Sequence, residues 1–494
     1  MTSPLANRIS SGVAWTAVGK ATAQGGTFVT GIVLARLLPP SDFGLLAMVT
    51  VITGFVAIFS DFGFSQSLIQ AETLDQDDAS TVFWMNTVFG LLIAAMLVAG
   101  APLLADFYHQ PVLCDVTRIS ALNFVVGPAG SVPTALLTRE MRFRGLAVVE
   151  VAAFVGSATL GVTGAAIGWG VWALVAQTLA RSALTSVGTW IALRWVPTFA
   201  FQLSALRRFS RFSLNLTGFS FINYWARQLD DLLIGRVMGD VALGNYARAY
   251  STMMLPVQEV SGTLSRVMFP ALAGIQGDKK QVSAIYLSTI GLIATLTFPI
   301  MGIIGTAAGP LILTLYGPNW EPAIPIVQVL AVVGAFQSIG TTVGWLYLAV
   351  GRTDVMFRWG AFASFFLMVA IVIGVSLGNV VTVAYAYAVC VAVLSYPQFA
   401  IPGALVGIRP RQILSAVAAP TVFALVASAA SLAVRVLLTD SLHIAPVQLA
   451  IQSTTLGLVY SGLMLTFRPP QYQLLVRHFR ERRAAKRGGP SSAP

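Results

Sequence analysis

Residues 323–350 read AIPIVQVLAVVGAFQSIGTTVGWLYLAV, an unbroken stretch without Asp, Glu, Lys or Arg. About 20 such residues cross a bilayer as α-helix, so this stretch decides the class of the protein. Residues 283–308, 412–434 and 444–467 are equally free of charge. Residues 359–404 are charge-free and long enough for two spans, with Ser376-Leu377-Gly378-Asn379 as the natural break. A barrel strand alternates apolar and polar over about ten residues, whereas these runs are continuously apolar. Helices are then the spanning structure that satisfies their backbone groups internally. Composition agrees: 56% of the 494 residues are hydrophobic and 10% charged. A soluble domain carries about 25% charged residues, so there is too little polar surface here to coat a water-soluble globule.

The same test along the chain predicts an all-α polytopic membrane protein of about fourteen transmembrane helices. They are expected near 13–37, 43–69, 81–104, 118–138, 146–167, 171–193, 209–236, 241–269, 283–307, 323–350, 357–377, 380–404, 413–437 and 445–467. The seventh and eighth are the least apolar, and Gly168-Trp169-Gly170 alone joins the fifth to the sixth. Residues 9–35 are too long for the apolar core of a signal peptide, and no small-residue cleavage site follows, so the first span is expected to be retained. Cys114 in a loop and Cys390 within a span give neither a disulfide framework nor metal-binding spacing.

Charge sets the orientation. With the N-terminus in the cytoplasm, sides alternating and residues at span ends counted with the side they adjoin, 21 of the 30 Lys and Arg residues fall on cytoplasmic segments, 4 outside and 5 within spans. The cytoplasmic set includes Arg139, Arg142, Arg144, Arg207, Arg208, Arg211, Arg409 and Arg411, and a tail with Arg477, Arg480, Arg482, Arg483, Lys486 and Arg487. That asymmetry is what the positive-inside rule expects, and it places both termini in the cytoplasm. Glu72, Asp75, Asp77 and Asp78 also fall inside, but acidic residues weigh little in the rule. The net charge of +11 is therefore topogenic and calls for no nucleic acid. The basic tail either touches anionic headgroups or is simply solvated.

The chain repeats. Arg36-Leu37-Leu38 followed by Phe43-Gly44 recurs 200 residues on as Arg236-Val237-Met238 followed by Leu243-Gly244. Ala101-Pro102-Leu103-Leu104 with Phe107-Tyr108 recurs at an offset of 208 as Gly309-Pro310-Leu311-Ile312 with Leu315-Tyr316. The spacing is six spans, so the halves share one orientation, which is a transporter signature. The expected organisation is an N-terminal six-helix bundle over 1–200, a second over 201–408, two additional helices over 409–467 and a basic tail over 468–494.

Residues 32–44, Ile32-Val33-Leu34-Ala35-Arg36-Leu37-Leu38-Pro39-Pro40-Ser41-Asp42-Phe43-Gly44, resemble the first-hairpin signature of bacterial polysaccharide exporters. Asp61-Phe62-Gly63 and Ser67-Leu68-Ile69-Gln70 continue the likeness. The family is the Wzx-type oligosaccharide flippases, within the multidrug/oligosaccharidyl-lipid/polysaccharide exporter superfamily. The likeness is strongest over residues 10–110 and looser to about residue 467. The resemblance implies two six-helix bundles in a V around a central cavity, alternating access, and a polyprenyl-diphosphate-linked oligosaccharide as cargo in the inner membrane. It also implies a polysaccharide polymerase and chain-length or export proteins as partners, besides membrane lipids. No cofactor is expected, apart from a coupling proton or sodium ion.

An ionised side chain at membrane depth costs several kcal/mol unless it faces a cavity or a partner. Five basic residues fall inside spans (Lys20, Arg181, Arg227, Arg248 and Arg266), as do Asp61, Glu150, Asp230, Asp231 and Glu259. Thr16, Lys20, Gln24 and Thr27 form one stripe of the first span; Asn215, Asn223, Arg227 and Asp231 form one of the seventh. Arg248, Glu259 and Arg266 nearly eclipse on the eighth, with Thr252 and Thr263 beside them. A polar stripe on an apolar span does not face lipid.

Arginine's planar fork suits phosphate oxygens. Lys20, Arg181, Arg227, Arg248 and Arg266 are therefore the candidates to neutralise a lipid diphosphate, with Gln24, Asn215, Asn223 and Tyr224 meeting sugar hydroxyls. Asp61, Glu150, Glu259, Asp230 and Asp231 are candidates for a coupling ion. The competing reading is structural pairing, such as Arg227 with Asp231 at i+4. On the functional reading, Arg227→Ala and Arg248→Ala abolish export at unchanged membrane level.

Two other classes compete. A proton- or sodium-coupled multidrug exporter of the same fold wants a net negative cavity, whereas several arginines lie here. A membrane glycosyltransferase wants paired catalytic carboxylates and a large loop; the longest loops run to about fifteen residues, and the single Asp-x-Asp match, Asp75-Gln76-Asp77, comes without a large loop around it. A phosphate-binding Gly-x-x-x-x-Gly-Lys-Ser/Thr loop is missing too. The chain therefore reads as a carrier and not an enzyme.

Overall fold

The charge-free runs are helical, with short breaks at Ala307, Thr341-Thr342 and Leu377-Gly378-Asn379. The computed structural model describes residues 4–59, 65, 68–69, 74–199, 203–275, 278–438, 444–470 and 473. Side chains at 4–18, 20–21, 203–223, 226, 263, 266–267, 269–271 and 273 lie outside this description. Asp61 is outside the described residues, and so are the side chains of Lys20, Asn215, Asn223 and Arg266.

The first half of the chain carries α1 (Pro4–Leu37), α2 (Pro40–Ala57), α3 (Gln76–Tyr108), α4 (Val112–Ser120), α5 (Asn123–Arg139), α6 (Phe143–Ala166) and α7 (Val171–Leu193). Next comes α8 (Leu203–Gly274), which is two helices broken at Gly239. After it run α9 (Lys279–Thr306), α10 (Ala308–Leu315), a 3-10 turn (Pro318–Ala323), α11 (Ile324–Gly340) and α12 (Val343–Ala349). The chain continues through α13 (Thr353–Ser376), α14 (Val380–Val406), α15 (Pro410–Leu438) and α16 (Ala445–Phe467).

Ten of these segments, α4–α5 and the 3-10 turn with α11–α12 each counting as one, are long and apolar enough to cross a membrane. The more polar remainder of the expected spans is α1, α7 and the two segments of α8. One expectation is corrected: the second span is not a single helix over 43–69. It ends at Ala57, where Ile58 caps it and the chain turns.

Two compact units result, residues 1–247 and 248–494. In the first, α6 packs on α7 and α1, and α5 on α7 and α3. In the second, α15 packs on α9 and α16, α13 on α14, and α11 on α9 and α14. Its core holds Tyr286, Ile290, Ile293, Trp345 and Leu346. Hydrogen bonds between helices accompany the apolar packing. Thr297 donates to Ser338 at 2.9 Å, Tyr286 and Thr342 lie 3.1 Å apart, and Gln337 Nε2 donates to the Tyr387 hydroxyl at 2.6 Å.

The repeat is visible in the backbone. His109 and Gly317, each following a Tyr at a helix end, are left-handed (φ 55° and 94°). Met141 and Gly351 (56° and 68°), then Gly168 and Gly378 (86° and 76°), do the same. The separations are 208, 210 and 210 residues, so three helix ends of the first half recur in the second. Where the first half uses His or Met, which are strained in this conformation, the second uses glycine.

The signature stretch explains itself here. A Cβ on Gly44 would overlap the backbone carbonyl of Asp240, and one on Gly244 would overlap that of Pro40. Residues 40 and 44 thus exchange roles with 240 and 244, as the 200-residue offset requires. Two helices this close demand glycine at both crossing points. The Asp42 carboxylate, meanwhile, accepts the backbone N–H of Val171, which satisfies one of the orphan donors at the start of α7.

Candidate functional site

Each unit presents its own polar groups. In the first, Gln24 and Thr27 are exposed on α1. Arg181 on α7 reaches that face: its Nη1 donates to Thr27 Oγ1 at 3.2 Å, and its guanidinium lies 6.0 Å from the centre of the Phe154 ring. A hydroxyl and an aromatic face therefore hold one of the expected cations, with no carboxylate involved among the described residues. Glu150 on α6 is half-buried.

The first segment of α8 carries Tyr224, Arg227, Asp230 and Asp231. The Tyr224 hydroxyl donates to the Val51 carbonyl at 2.7 Å, and its ring lies 5.9 Å from Phe55. This ties α8 to α2. Arg227 is exposed, and no ion pair joins it to Asp231. Asp230 is buried and accepts the Tyr246 hydroxyl at 3.0 Å. Arg236, one of the repeated arginines, sits 5.5 Å over Phe107.

In the second unit Arg248 lies between two rings, 5.1 Å from the centre of Tyr316 and 5.4 Å from that of Trp320. Thr252 Oγ1 gives its proton to the Arg248 carbonyl at 2.8 Å and stands 2.9 Å from the Tyr316 hydroxyl, so Tyr316 is the donor of that second bond. The rings come from the turn after α10, the counterpart of Phe107-Tyr108 in the first half. Each half thus closes this corner with an arginine over an aromatic ring. Glu259 is exposed further along α8.

Sequence reasoning singled out the arginines and missed Tyr108, Tyr246, Tyr316 and Trp320. The second repeat match contained Tyr108 and Tyr316, so the signal was present without its meaning.

An apolar groove of about 670 Å³ runs between α9, α11, α14 and α15, lined by Phe298, Met301, Val332, Phe336, Tyr396 and Leu425 among others. At the start of α15 a polar pocket of about 540 Å³ is lined by Gly407, Arg409, Arg411, Gln412 and Ser415.

Many apolar helices, an internal repeat and polar residues on otherwise apolar helices define a multi-pass membrane carrier. A family model described as "Polysaccharide biosynthesis protein" matches residues 33–325, and the chain belongs to that family. It is 28% identical over 372 residues to the lipopolysaccharide biosynthesis protein WzxC of Escherichia coli (strain K12), covering 75% of this chain and 76% of that one. It is 27% identical over 390 residues to the teichuronic acid biosynthesis protein TuaB of Bacillus subtilis (strain 168), covering 78% and 80%. With the succinoglycan biosynthesis transport protein ExoT of Rhizobium meliloti (strain 1021) the identity is 28%, covering 72% of each. Among solved structures, the lipid II flippase MurJ in an inward closed conformation shares the fold, with a TM-score of 0.73 at 14% identity over 93% of this chain and 99% of that one. A multidrug transporter of the MATE family in an inward-facing conformation gives 0.63 at 14% identity, over 77% and 94%.

Proposed function

We propose that this protein translocates a polyprenyl-diphosphate-linked oligosaccharide repeat unit across the bacterial inner membrane by alternating access, feeding exopolysaccharide, capsule or O-antigen assembly. Besides family membership, one observation carries the reading: Arg227 stands exposed within the first segment of α8 without a carboxylate partner among the described residues. A guanidinium facing lipid costs several kcal/mol, so this face belongs to a water-filled passage. A fixed cation there matches a fixed anion on the cargo, and the diphosphate is the part common to all lipid-linked glycans of this type. The relatives are named for lipopolysaccharide, teichuronic acid and succinoglycan. That variety fits a carrier that reads the anchor more strictly than the sugar.

Fourteen crossings with both termini cytoplasmic follow from the basic-loop asymmetry. The hydrocarbon tail stays in the membrane while the headgroup crosses, and polymerase and chain-length proteins receive the product. Binding is weak enough to release the cargo on the far side.

Reconstitution tests the reading. The purified protein in vesicles should move a fluorescent polyprenyl-diphosphate oligosaccharide from the inner to the outer leaflet, where a membrane-impermeant quencher reaches it. A rate equal to that of protein-free vesicles would overturn the proposal.

A further inference from the structure

Two adjacent carboxylates lie in the first unit on α8, and moving the cargo's anionic headgroup gives neither of them a task. Asp230 is 7% exposed. Its Oδ1 accepts the backbone N–H of Asp231 at 3.0 Å, and its Oδ2 accepts the Tyr246 hydroxyl at 3.0 Å. Among the described residues Asp231's carboxylate accepts no hydrogen bond, and no Lys or Arg forms an ion pair with either residue. The titratable and charged groups around the pair are few. Tyr108 comes from α3 and Tyr246 from beyond the Gly239 break. Tyr224, Arg227 and Arg236 share the pair's own segment.

Two neighbouring carboxylates at membrane depth ionise together only when water or a hydrogen-bond donor stabilises the second charge, so in the resting pair one of them holds a proton. Their surroundings divide the roles. Asp230 has two donors aimed at it, which suits a carboxylate, so the proton belongs to Asp231. A second observation points to the same place. The Tyr108 hydroxyl is buried, on a residue 3% exposed, and has no hydrogen-bond partner. Its ring packs against Gly235, one turn on from Asp231, within electrostatic reach of that carboxylate. An idle buried hydroxyl is costly. Here it is the donor in waiting for an ionised Asp231. Beside its own oxygens the pair has N–H and O–H donors turned toward it, whereas a metal cation is caged by further oxygen lone pairs, so a proton suits the site.

The position links this chemistry to movement. Asp231 lies on the segment that ends at the Gly239 break, and residues 240 and 244 just beyond it interlock with Gly44 and Pro40. We propose that the Asp230–Asp231 pair holds one exchangeable proton, carried on Asp231, and that its exchange couples movement of α8 to the transmembrane proton gradient. On release the Asp231 O–H bond breaks, the proton passes to water, and the carboxylate takes the Tyr108 hydrogen bond. On return, water delivers a proton and Tyr108 is idle again. The coupling role rests on the flippase reading above; the proton site itself does not.

Two measurements test it. In vesicles with an imposed gradient of about two pH units, wild-type protein should enrich the labelled cargo on one leaflet, up to about a hundredfold for one coupled proton. Asp231→Asn should bring that ratio to one, and Tyr108→Phe should keep the dependence but shift its pH midpoint, which a purely structural tyrosine would leave in place. The pH-dependent infrared difference spectrum of the purified protein, without cargo, should show a carboxylic acid C=O band that Asp231→Asn removes. Cargo movement that ignores the pH gradient, or follows a sodium gradient instead, overturns the coupling while the flippase reading stands. No cargo movement by wild type overturns the flippase reading. The infrared band then decides the proton site, and its absence from wild type overturns that as well.

Discussion

Gly44→Ala and Gly244→Ala should each reduce the protein to a small fraction of its wild-type level in the membrane and abolish export. Both glycines sit where two helices cross, and the atoms a methyl would meet are the backbone carbonyls of Asp240 and Pro40. Backbone cannot rotate away as a side chain can, so the helices must separate. Overpacking of this kind costs about 1–3 kcal/mol, and here it falls on the joint that the repeat makes twice. Gly100→Ala is the matched control. It lies within α3, and a methyl there would meet nothing within 4 Å, so the change should be neutral or stabilise by up to about 1 kcal/mol. Immunoblots of membrane fractions and surface-polymer assays read all three. Normal levels and export for Gly44→Ala would mean that the close crossing is not part of the working protein.

Arg227→Ala and Arg248→Ala should fail in different ways. Arg227 is exposed and makes no ion pair with Asp231, so its truncation removes charge and little packing. Membrane level should hold while export falls at least about tenfold, the equivalent of about 1.4 kcal/mol. Arg248 is packed between Tyr316 and Trp320. Its loss removes two cation–π contacts, each worth about 0.5–2 kcal/mol, and leaves the rings facing a void, so the protein level itself should drop. Arg248→Lys keeps the charge but not the planar stack and should recover part of the level. Unimpaired export by Arg227→Ala would remove the cationic passage from the account.

The separation of these two arginines could not be read from the sequence. Periodicity placed Arg248, Glu259 and Arg266 on one helix face, which is a statement about one helix alone. What surrounds Arg248 is a turn almost seventy residues further on, and hydropathy carries no information about that meeting. Tyr224 was expected at the sugar, yet its hydroxyl reaches the Val51 carbonyl of α2, a partner visible only in three dimensions. The spans were legible for the opposite reason: the bilayer imposes a length and a polarity on each segment separately. The repeat was legible in two short matches, and the recurring left-handed residues at 109, 141 and 168 against 317, 351 and 378 extend it. The stop of α2 at Ala57 was missed because Ile58 and Phe59 directly beyond it are apolar, and turn geometry leaves no mark on hydropathy.

The most direct test of the central claim is a lipid analysis of cells lacking the gene, with polyprenyl-diphosphate-linked glycans and surface polysaccharide quantified together. The account predicts that complete repeat units accumulate on the carrier lipid while the surface polymer is lost, and the mass of the accumulated species would name the sugar. Unchanged glycolipid together with unchanged polymer would contradict it and direct attention to small-molecule export.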